Sequence, residues 1–255
     1  MSDSRKQIYK AALLIIGNEI LSGRTNDENL SYVANRLIEL GIRLSEVRVI
    51  PDVEDIIVAA VNHCRNEYDY VFTTGGIGPT HDDITSEAIA RAFKVKNTLN
   101  PEALNLLTDH YGSAEKINES RMRMAYMPEG ATLITNPVSK APGFRLENVM
   151  VLAGVPKIMQ AMFESVAPSL KGGALLRSIE INCKLPESMV ASGLREIQGR
   201  FREVDIGSYP YFGDGLIGTT LVLRSTNKGL LDAAVADVRL LVSRYSKESP
   251  AEQIQ

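Results

Sequence analysis

Asp69-Tyr70-Val71-Phe72-Thr73-Thr74-Gly75-Gly76-Ile77-Gly78-Pro79-Thr80-His81-Asp82-Asp83-Ile84-Thr85 is the stretch that decides the fold. Asp69–Thr74 is a short apolar and β-branched run, and glycines follow it at once, as at the end of a buried strand. Beyond them Ile84, Ala88, Ile89 and Phe93 recur at helical spacing, so a helix is expected to begin near Asp82. A strand that passes through a glycine turn into a helix is the repeating unit of a parallel α/β sheet.

The same unit recurs toward the start of the chain. Ala11–Ile16 is wholly apolar and closed by Gly17, which suits a central strand covered on both faces. Asn26 or Asp27 can cap a helix carrying Leu30, Val33, Ala34, Leu37 and Leu40, with Gly41 as its stop. Ile42–Ile50 alternates and breaks at Pro51-Asp52, and the next helix is expected to turn Ile56, Ile57, Ala60, Val61 and Cys64 inward. Three strands alternating with helices predict a doubly wound, mostly parallel α/β sheet with right-handed crossovers. Further on, 101–126 reads as surface helix, Ala131–Thr135 and Asn148–Leu152 as strands, and Pro156 to about Leu170 as the closing helix. Lys171-Gly172-Gly173 is the best linker candidate. Beyond it the order changes to strand, helix, two strands and a last helix from Lys228, a small α+β (βαββα) domain with an antiparallel pair. The expected domains are 8–170 and 174–247, with a polar, frayed tail after Ser246.

Composition narrows the classes. The 255 residues are 44% hydrophobic and 23% charged, with 28 Lys+Arg against 31 Asp+Glu. Up to residue 170 there are 17 basic and 21 acidic residues, and beyond it 11 and 10. Neither part has the basic excess of a phosphate-backbone binder, so nucleic acid is not an expected partner. No apolar run approaches the ~18 residues that span a bilayer, and no leader pattern precedes Ala11. Two cysteines, Cys64 and Cys183, make neither a disulfide framework nor a structural zinc site. A cytoplasmic protein without membrane partners is expected.

The 75–85 loop carries the chemistry. Gly75, Gly76 and Gly78 let a phosphate approach backbone N–H donors, and the following helix start adds its dipole. Asp82 and Asp83 can hold a hydrated Mg²⁺ against that phosphate, so they are the candidate catalytic and metal-binding pair. A plain glycine turn with a capping Asp is the rival. Thr80 and Thr85 join the candidate ligand contacts. The loop after the first strand, Gly17-Asn18-Glu19-Ile20-Leu21-Ser22-Gly23-Arg24-Thr25-Asn26, is expected at the same sheet edge. There Glu19 can help bind the metal, Gly23 allows close approach, and Asn26 or Asn29 can face a ligand, although a polar loop with a capped helix explains any one of them as well. Asn136-Pro137-Val138-Ser139-Lys140-Ala141-Pro142-Gly143-Phe144 adds Asn136, Pro142 and Gly143, although loop rigidity explains these equally well. Arg121 and Arg123 can reach an anion, although a solvated helix face explains them too; Cys64 reads as core, and Ser208–Phe212 as a contact surface or a packed strand end.

Together 17–23, 75–83 and 136–144 resemble the MoaB/Mog molybdopterin-binding domain, in the branch of competence/damage-inducible protein A (CinA). They are similar also to the molybdopterin-binding-like domain of eukaryotic FAD synthase, while Ile206–Pro210 resembles the small domain that follows in CinA-type proteins. Full-length CinA carries a further amidase-like domain, for which 255 residues leave no room. The resemblance implies a pterin or nucleotide pyrophosphate as ligand and a homo-oligomer. The activity it implies is metal-dependent, on an ADP-ribose- or FAD-like pyrophosphate or on molybdopterin in molybdenum cofactor biosynthesis. Asn18 stands where Asp is common, Ser139 where glycine is usual, and Ile158 where an acid is familiar. These departures keep a non-catalytic binder of the same family as the alternative.

Overall fold

The structure is a computed structural model that describes residues 8–213 and 216–248. They form two compact units that part between Ala174 and Leu175. The expected tail after Ser246 lies, beyond residue 248, outside the described residues.

In chain order the first unit holds β1 (Tyr9–Ile16), α1 (Asn18–Leu21), α2 (Asn29–Glu39), β2 (Ile42–Ile50), α3 (Glu54–Glu67), β3 (Tyr70–Thr74) and α4 (Thr85–Phe93). There follow β4 (Asn97–Leu99), α5 (Pro101–Tyr111), α6 (Glu119–Arg123), β5 (Tyr126–Pro128), β6 (Thr132–Ile134), β7 (Gly143–Leu146), β8 (Val149–Leu152) and α7 (Pro156–Val166). The main sheet has the order β2-β1-β3-β8-β7-β6, parallel from β2 through β8 and antiparallel beyond. The alternation of β1 explains its place beside the centre. Ala12, Leu14 and Ile16 pack with Ile57, Val61, Ala88 and Ile89 of α3 and α4, whereas Ala11, Leu13 and Ile15 pack with Val33, Leu37, Met159 and Phe163 of α2 and α7. Helices thus cover both faces, the doubly wound arrangement that the sequence predicts. Because β2 and β3 pair with opposite sides of β1, the strand order reverses there, and such a reversal opens a crevice at the carboxyl ends.

Several local expectations change. The pairing of β1 with β2 slips between Ala11 and Ala12, leaving Ser45 as an extra residue, a bulge. Val47 and Val49 sit on the edge strand and stay open to solvent. Ile56 likewise faces out of α3 while Ile57, Ala60, Val61 and Cys64 face in. The 101–126 stretch is not one helix: Gly112, in the left-handed region, stops α5, and α6 restarts with Asn118 accepting from the Arg121 N–H at 2.9 Å. Gly172-Gly173 is no loose linker. A Cβ at Gly172 would overlap the Leu40 carbonyl, Gly173 N donates to Gly41 O at 3.1 Å, and Lys171 N donates to the Tyr70 hydroxyl at 2.8 Å.

The second unit contains β9 (Arg177–Cys183), α8 (Glu187–Arg200), β10 (Asp205–Gly213), β11 (Leu216–Ser225) and α9 (Lys228–Glu248). Its antiparallel sheet has the order β10-β11-β9. Leu221 and Leu223 pack with Val190, Leu194 and Ile197 of α8 and with Leu231, Ala234 and Val238 of α9. The aromatic run at the end of β10 is open, Phe212 being 76% exposed. No helix among the described residues is long and apolar enough to cross a membrane.

Two glycine substitutions check this packing. Gly172→Ala, which must push the Leu40 carbonyl aside, is expected to lose about 1–3 kcal/mol in urea unfolding. Gly199→Ala lies inside α8 with open space around its Cβ and is expected to gain up to about 1 kcal/mol.

Candidate ligand site at the carboxyl edge of the sheet

The parallel strands end side by side, and their loops build the site. Gly17 N donates to Ile50 O at 3.1 Å and Gly75 N to Leu152 O at 3.2 Å, so the ladder stops at one level. Past it, among the described residues, the N–H groups of Gly76, Ile77 and Gly78 have no acceptor within the protein. The glycines themselves answer to the protein's own atoms. A Cβ at Gly75 would overlap the Ile16 carbonyl oxygen, and one at Gly76 would overlap the Thr85 hydroxyl. Both have positive φ, +98° and +69°, where an L side chain is strained. Gly78 leaves room for the Asp83 carboxylate, 2.7 Å from its missing Cβ.

The helix after this loop begins at Thr85 rather than near Asp82, because the intervening residues form a turn of their own. Asp83 Oδ2 accepts from Thr80 N at 2.7 Å and from the Thr80 hydroxyl at 2.5 Å. Buried Thr85 ties the helix start back, its N–H donating to Gly76 O at 2.9 Å and its hydroxyl to Gly75 O at 3.0 Å. Asp82 stands free, with a 61% exposed side chain 4.0 Å from the ring of His81, which is 97% exposed. The Thr80 hydroxyl, Asp82's own N–H and then His81 hold the Asp82 carboxyl below the usual carboxylate range. Thr80 has a single hydroxyl proton and the short bond to Asp83 takes it, so Asp82's share is the smaller.

Two cavities flank the glycine loop instead of one. The first, about 60 Å³, is lined by Glu19, Asn26, Asp27, Asn29, Thr74 and Gly154 among others. The second, about 20 Å³, lies beside Gly76, Gly78, Asp83, Arg123, Pro142 and Phe144 and borders a groove of about 260 Å³. Glu19 therefore lines one side and Asp83 the other. Two residues that line the first cavity carry buried polar atoms without a partner. Buried Asn29 donates Nδ2 to Gly154 O at 2.8 Å, which fixes its orientation and leaves Oδ1 unpartnered, and the Thr74 hydroxyl is also unpartnered. Asn26 lies exposed at the rim; the cap of α2 comes instead from Asp27, whose Oδ1 accepts from Leu30 N at 2.7 Å. Gly23 turns at φ +72° with nothing near its Cβ position.

Asn136 has a different task from the expected ligand contact. Its Nδ2 donates to Ser139 Oγ and Ala141 O, and its Oδ1 accepts from the N–H groups of Val138 and Ser139, so the buried amide holds the 136–141 turn. That turn sets Pro142 against the second cavity, and Gly143 has no room for a Cβ beside Val151 O. Sequence reasoning offered Asn29 only as an alternative to Asn26, and it missed Asp52. Asp52 Oδ2 accepts from the main-chain N–H of Asn18 at 2.8 Å and so ties the start of α1 to the end of β2. A polar residue within an amphipathic helix and an Asp after a strand-ending proline were the available signals. No three His, Cys, Asp or Glu side chains among the described residues converge as a metal set.

α2 and α7, whose starts frame the first cavity, are locked together: Arg36 Nε and Nη2 reach Glu164 at 2.7 and 2.8 Å, and the Tyr32 hydroxyl donates to it at 2.6 Å. The bonds from Arg36 and then Tyr32 push the Glu164 carboxyl below the usual range. Since its folded value is depressed, its contribution is present above the unfolded pKa and is lost as pH falls through the folded one. The gap in Tm between the wild type and Glu164→Gln is expected to be open at pH 7 and to close as pH drops below the carboxylate range. A constant gap would exclude this linkage.

The chain is similar to known proteins in both units. A family profile described as "Probable molybdopterin binding domain" matches residues 12–172, and one described as "FAD synthase, middle domain" matches 176–247. A protein of Pyrobaculum aerophilum is 38% identical over 210 residues, covering 78% of this chain and 79% of its own length. A CinA-like protein of Kosmotoga olearia is 32% identical over 238 residues, covering 90% of this chain and 57% of that protein. Among solved structures, CinA of Thermoplasma acidophilum, a protein described as of unknown function, matches with a TM-score of 0.60 and 32% identity. The match covers 64% of this chain and 98% of that one.

Proposed function

The chain belongs to the molybdopterin-binding domain family, and on that premise we propose that it binds a phosphate-bearing small molecule, a pterin or a nucleotide pyrophosphate, across the glycine loop. We propose further that it acts on that ligand with a divalent metal. The observation that carries the reading is the set of uncommitted N–H groups at Gly76, Ile77 and Gly78, where the ladder stops and α4 is about to begin. Backbone donors grouped before a helix N-terminus favour an anion. Asn29 and Thr74 line the cavity on the other side, their unpartnered oxygens buried behind its surface.

Mg²⁺ usually takes one or two carboxylates and completes its shell with phosphate oxygens and water. Ionised, exposed Asp82 fits that need, as does Oδ1 of Asp83, whose other oxygen is engaged by Thr80. Such an ion would draw charge from the oxygen that leaves when a pyrophosphate is cleaved or an adenylyl group transferred. The remaining work falls to the chain. The glycine N–H groups bind the phosphate, the Thr80–Asp83 turn keeps them facing it, and Asn136 holds Pro142 at the margin. Non-catalytic binding is the second reading, favoured by the placement of Glu19 in the other cavity and by the absence of a carboxylate at Asn18 and Ile158. A homo-oligomer in the cytoplasm belongs to the same proposal, and light scattering reports its size.

The test is a product assay with ADP-ribose, FAD, NAD, or molybdopterin plus ATP, each with Mg²⁺, Mn²⁺ or Co²⁺. Asp82→Asn is the clean variant, because Asp83→Asn also disturbs the bond to Thr80. It is expected to lower turnover about 10²-fold while binding falls less. Binding without turnover under any metal would leave the non-catalytic reading standing; absence of binding would remove both. Gly76→Ala is expected to lose the fold of the loop along with binding, since its Cβ meets Thr85.

A further inference from the structure

We propose that the groove from Gly76 past Arg123 to Glu119 is a specificity subsite for the part of the ligand beyond its phosphate, a ring or sugar that presents two adjacent N–H or O–H donors. This rests on the phosphate placement proposed above. The cleft beside Gly76 and Gly78 and the 260 Å³ groove share Asp83, Ser86, Arg123 and Tyr126 as lining, so they form one continuous surface. At about 260 Å³ the groove falls just below the ~300–1,000 Å³ that encloses a drug-sized ligand, which suits one end of a molecule rather than the whole.

Arg123 stands at the junction. Among the described residues its guanidinium makes one hydrogen bond, a long one of 3.4 Å from Nη2 to the backbone oxygen of Asp83, and no ion pair. Most of its five donors remain for an anion at the glycine loop. Past it the groove changes sign. Asp83, Glu87 and Glu119 line it against the single Arg123, and neither Glu87 nor Glu119 has a hydrogen bond or ion pair among the described residues. These acceptor-only groups repel a second phosphate and favour a neutral group with paired donors, which a carboxylate holds by two parallel hydrogen bonds. Met122 and Tyr126 offer apolar area for the flat side of such a group. The floor is fixed: the Ser86 hydroxyl on α4 lies 2.8 Å from Tyr126 O and 3.0 Å from the Asn97 amide, tying β4 and β5 to the helix.

Paired donors occur on the 2-amino-4-oxo-pyrimidine edge shared by guanine and pterins and on the ribose diol. Calorimetry on the full chain with Mg²⁺ tests the subsite with inorganic pyrophosphate, GDP, IDP and 2′-deoxy-GDP. Wild type is expected to bind GDP at least about tenfold tighter than pyrophosphate. Glu87→Gln/Glu119→Gln, both at exposed positions, should cost GDP about tenfold without weakening pyrophosphate, whereas Arg123→Met should weaken both. Weaker IDP assigns the donors to the ring edge, and weaker 2′-deoxy-GDP assigns them to the sugar. Equal affinity for the three nucleotides, or a preference for GDP that survives the double variant, would overturn the subsite while leaving phosphate binding intact. No binding of pyrophosphate or any nucleotide to the wild type would overturn the phosphate placement and the subsite with it.

Discussion

The site depends on how closely β1, β3 and β8 approach at their carboxyl ends. Gly75 has no side chain because the Ile16 carbonyl occupies that space, and a Cβ on Gly154 would come within 3.3 Å of the Gly75 Cα from the neighbouring loop. Buried strands demand paired backbone groups, so the chain can leave the ladder only where it reaches the surface. Here β1, β3 and β8 leave it together at one level. The uncommitted N–H groups of Gly76 to Gly78 follow directly: they are the first donors of β3 past the end of its pairing, and the bonds from Thr85 to Gly75 and Gly76 prevent the loop from folding back to satisfy them.

The two sides of the glycine loop are held by different means. On the first, α2 and α7 are joined by Arg36, Tyr32 and Glu164, so the entrance beside Asn29 and Gly154 is set by helix positions. On the second, short irregular segments are held by side-chain amides and hydroxyls: Asn136 within its turn, Ser86 to the β4–β5 pair. A surface built from loops fixed by a few hydrogen bonds can change its lining without disturbing the sheet. The second side, whose lining includes Gly76, Gly78 and Arg123, can therefore vary at Arg123 and its neighbours while the helix-framed first side keeps its shape.

Much of the fold was legible because β1, β3 and β8 are short apolar runs, and such runs mean burial on both faces. What escaped the sequence depends on partners remote along the chain. The bulge at Ser45 depends on how β2 meets β1, and Val47 and Val49 stay open because β2 is an edge strand, which alternation alone does not reveal. Strands of three or four residues, β4, β5 and β7, are too short for any periodicity to show. Gly172 read as a linker because its contact, Leu40, lies far away in sequence. In the site, the glycines were visible as glycines, yet their cause was not: Gly75 answers to residue 16 and Gly76 to residue 85. Asn26 and Asn29 were equal alternatives in the sequence, and only the Gly154 carbonyl shows that Asn29 is the buried one, with an acceptor to spare.

Adjacent Asp82 and Asp83 read alike in sequence and differ in the fold for one reason, the Thr80 turn. By accepting both the N–H and the hydroxyl of Thr80, Asp83 takes on the work that a helix cap would do, which delays the helix to Thr85 and leaves 79–84 as a loop. Asp82 then projects from that loop instead of lying along a helix flank, ionised and without an ion-pair partner closer than the exposed ring of His81. A carboxylate in a helix turn would sit beside N–H groups already oriented along the axis. On the braced loop Asp82 is open to solvent, while Asp83 lines the cleft beside Gly76 and Gly78. The same two bonds that make Asp83 structural thus keep its carboxylate beside Gly78, next to N–H groups that have no acceptor, an arrangement that a cation and an anion together would neutralise.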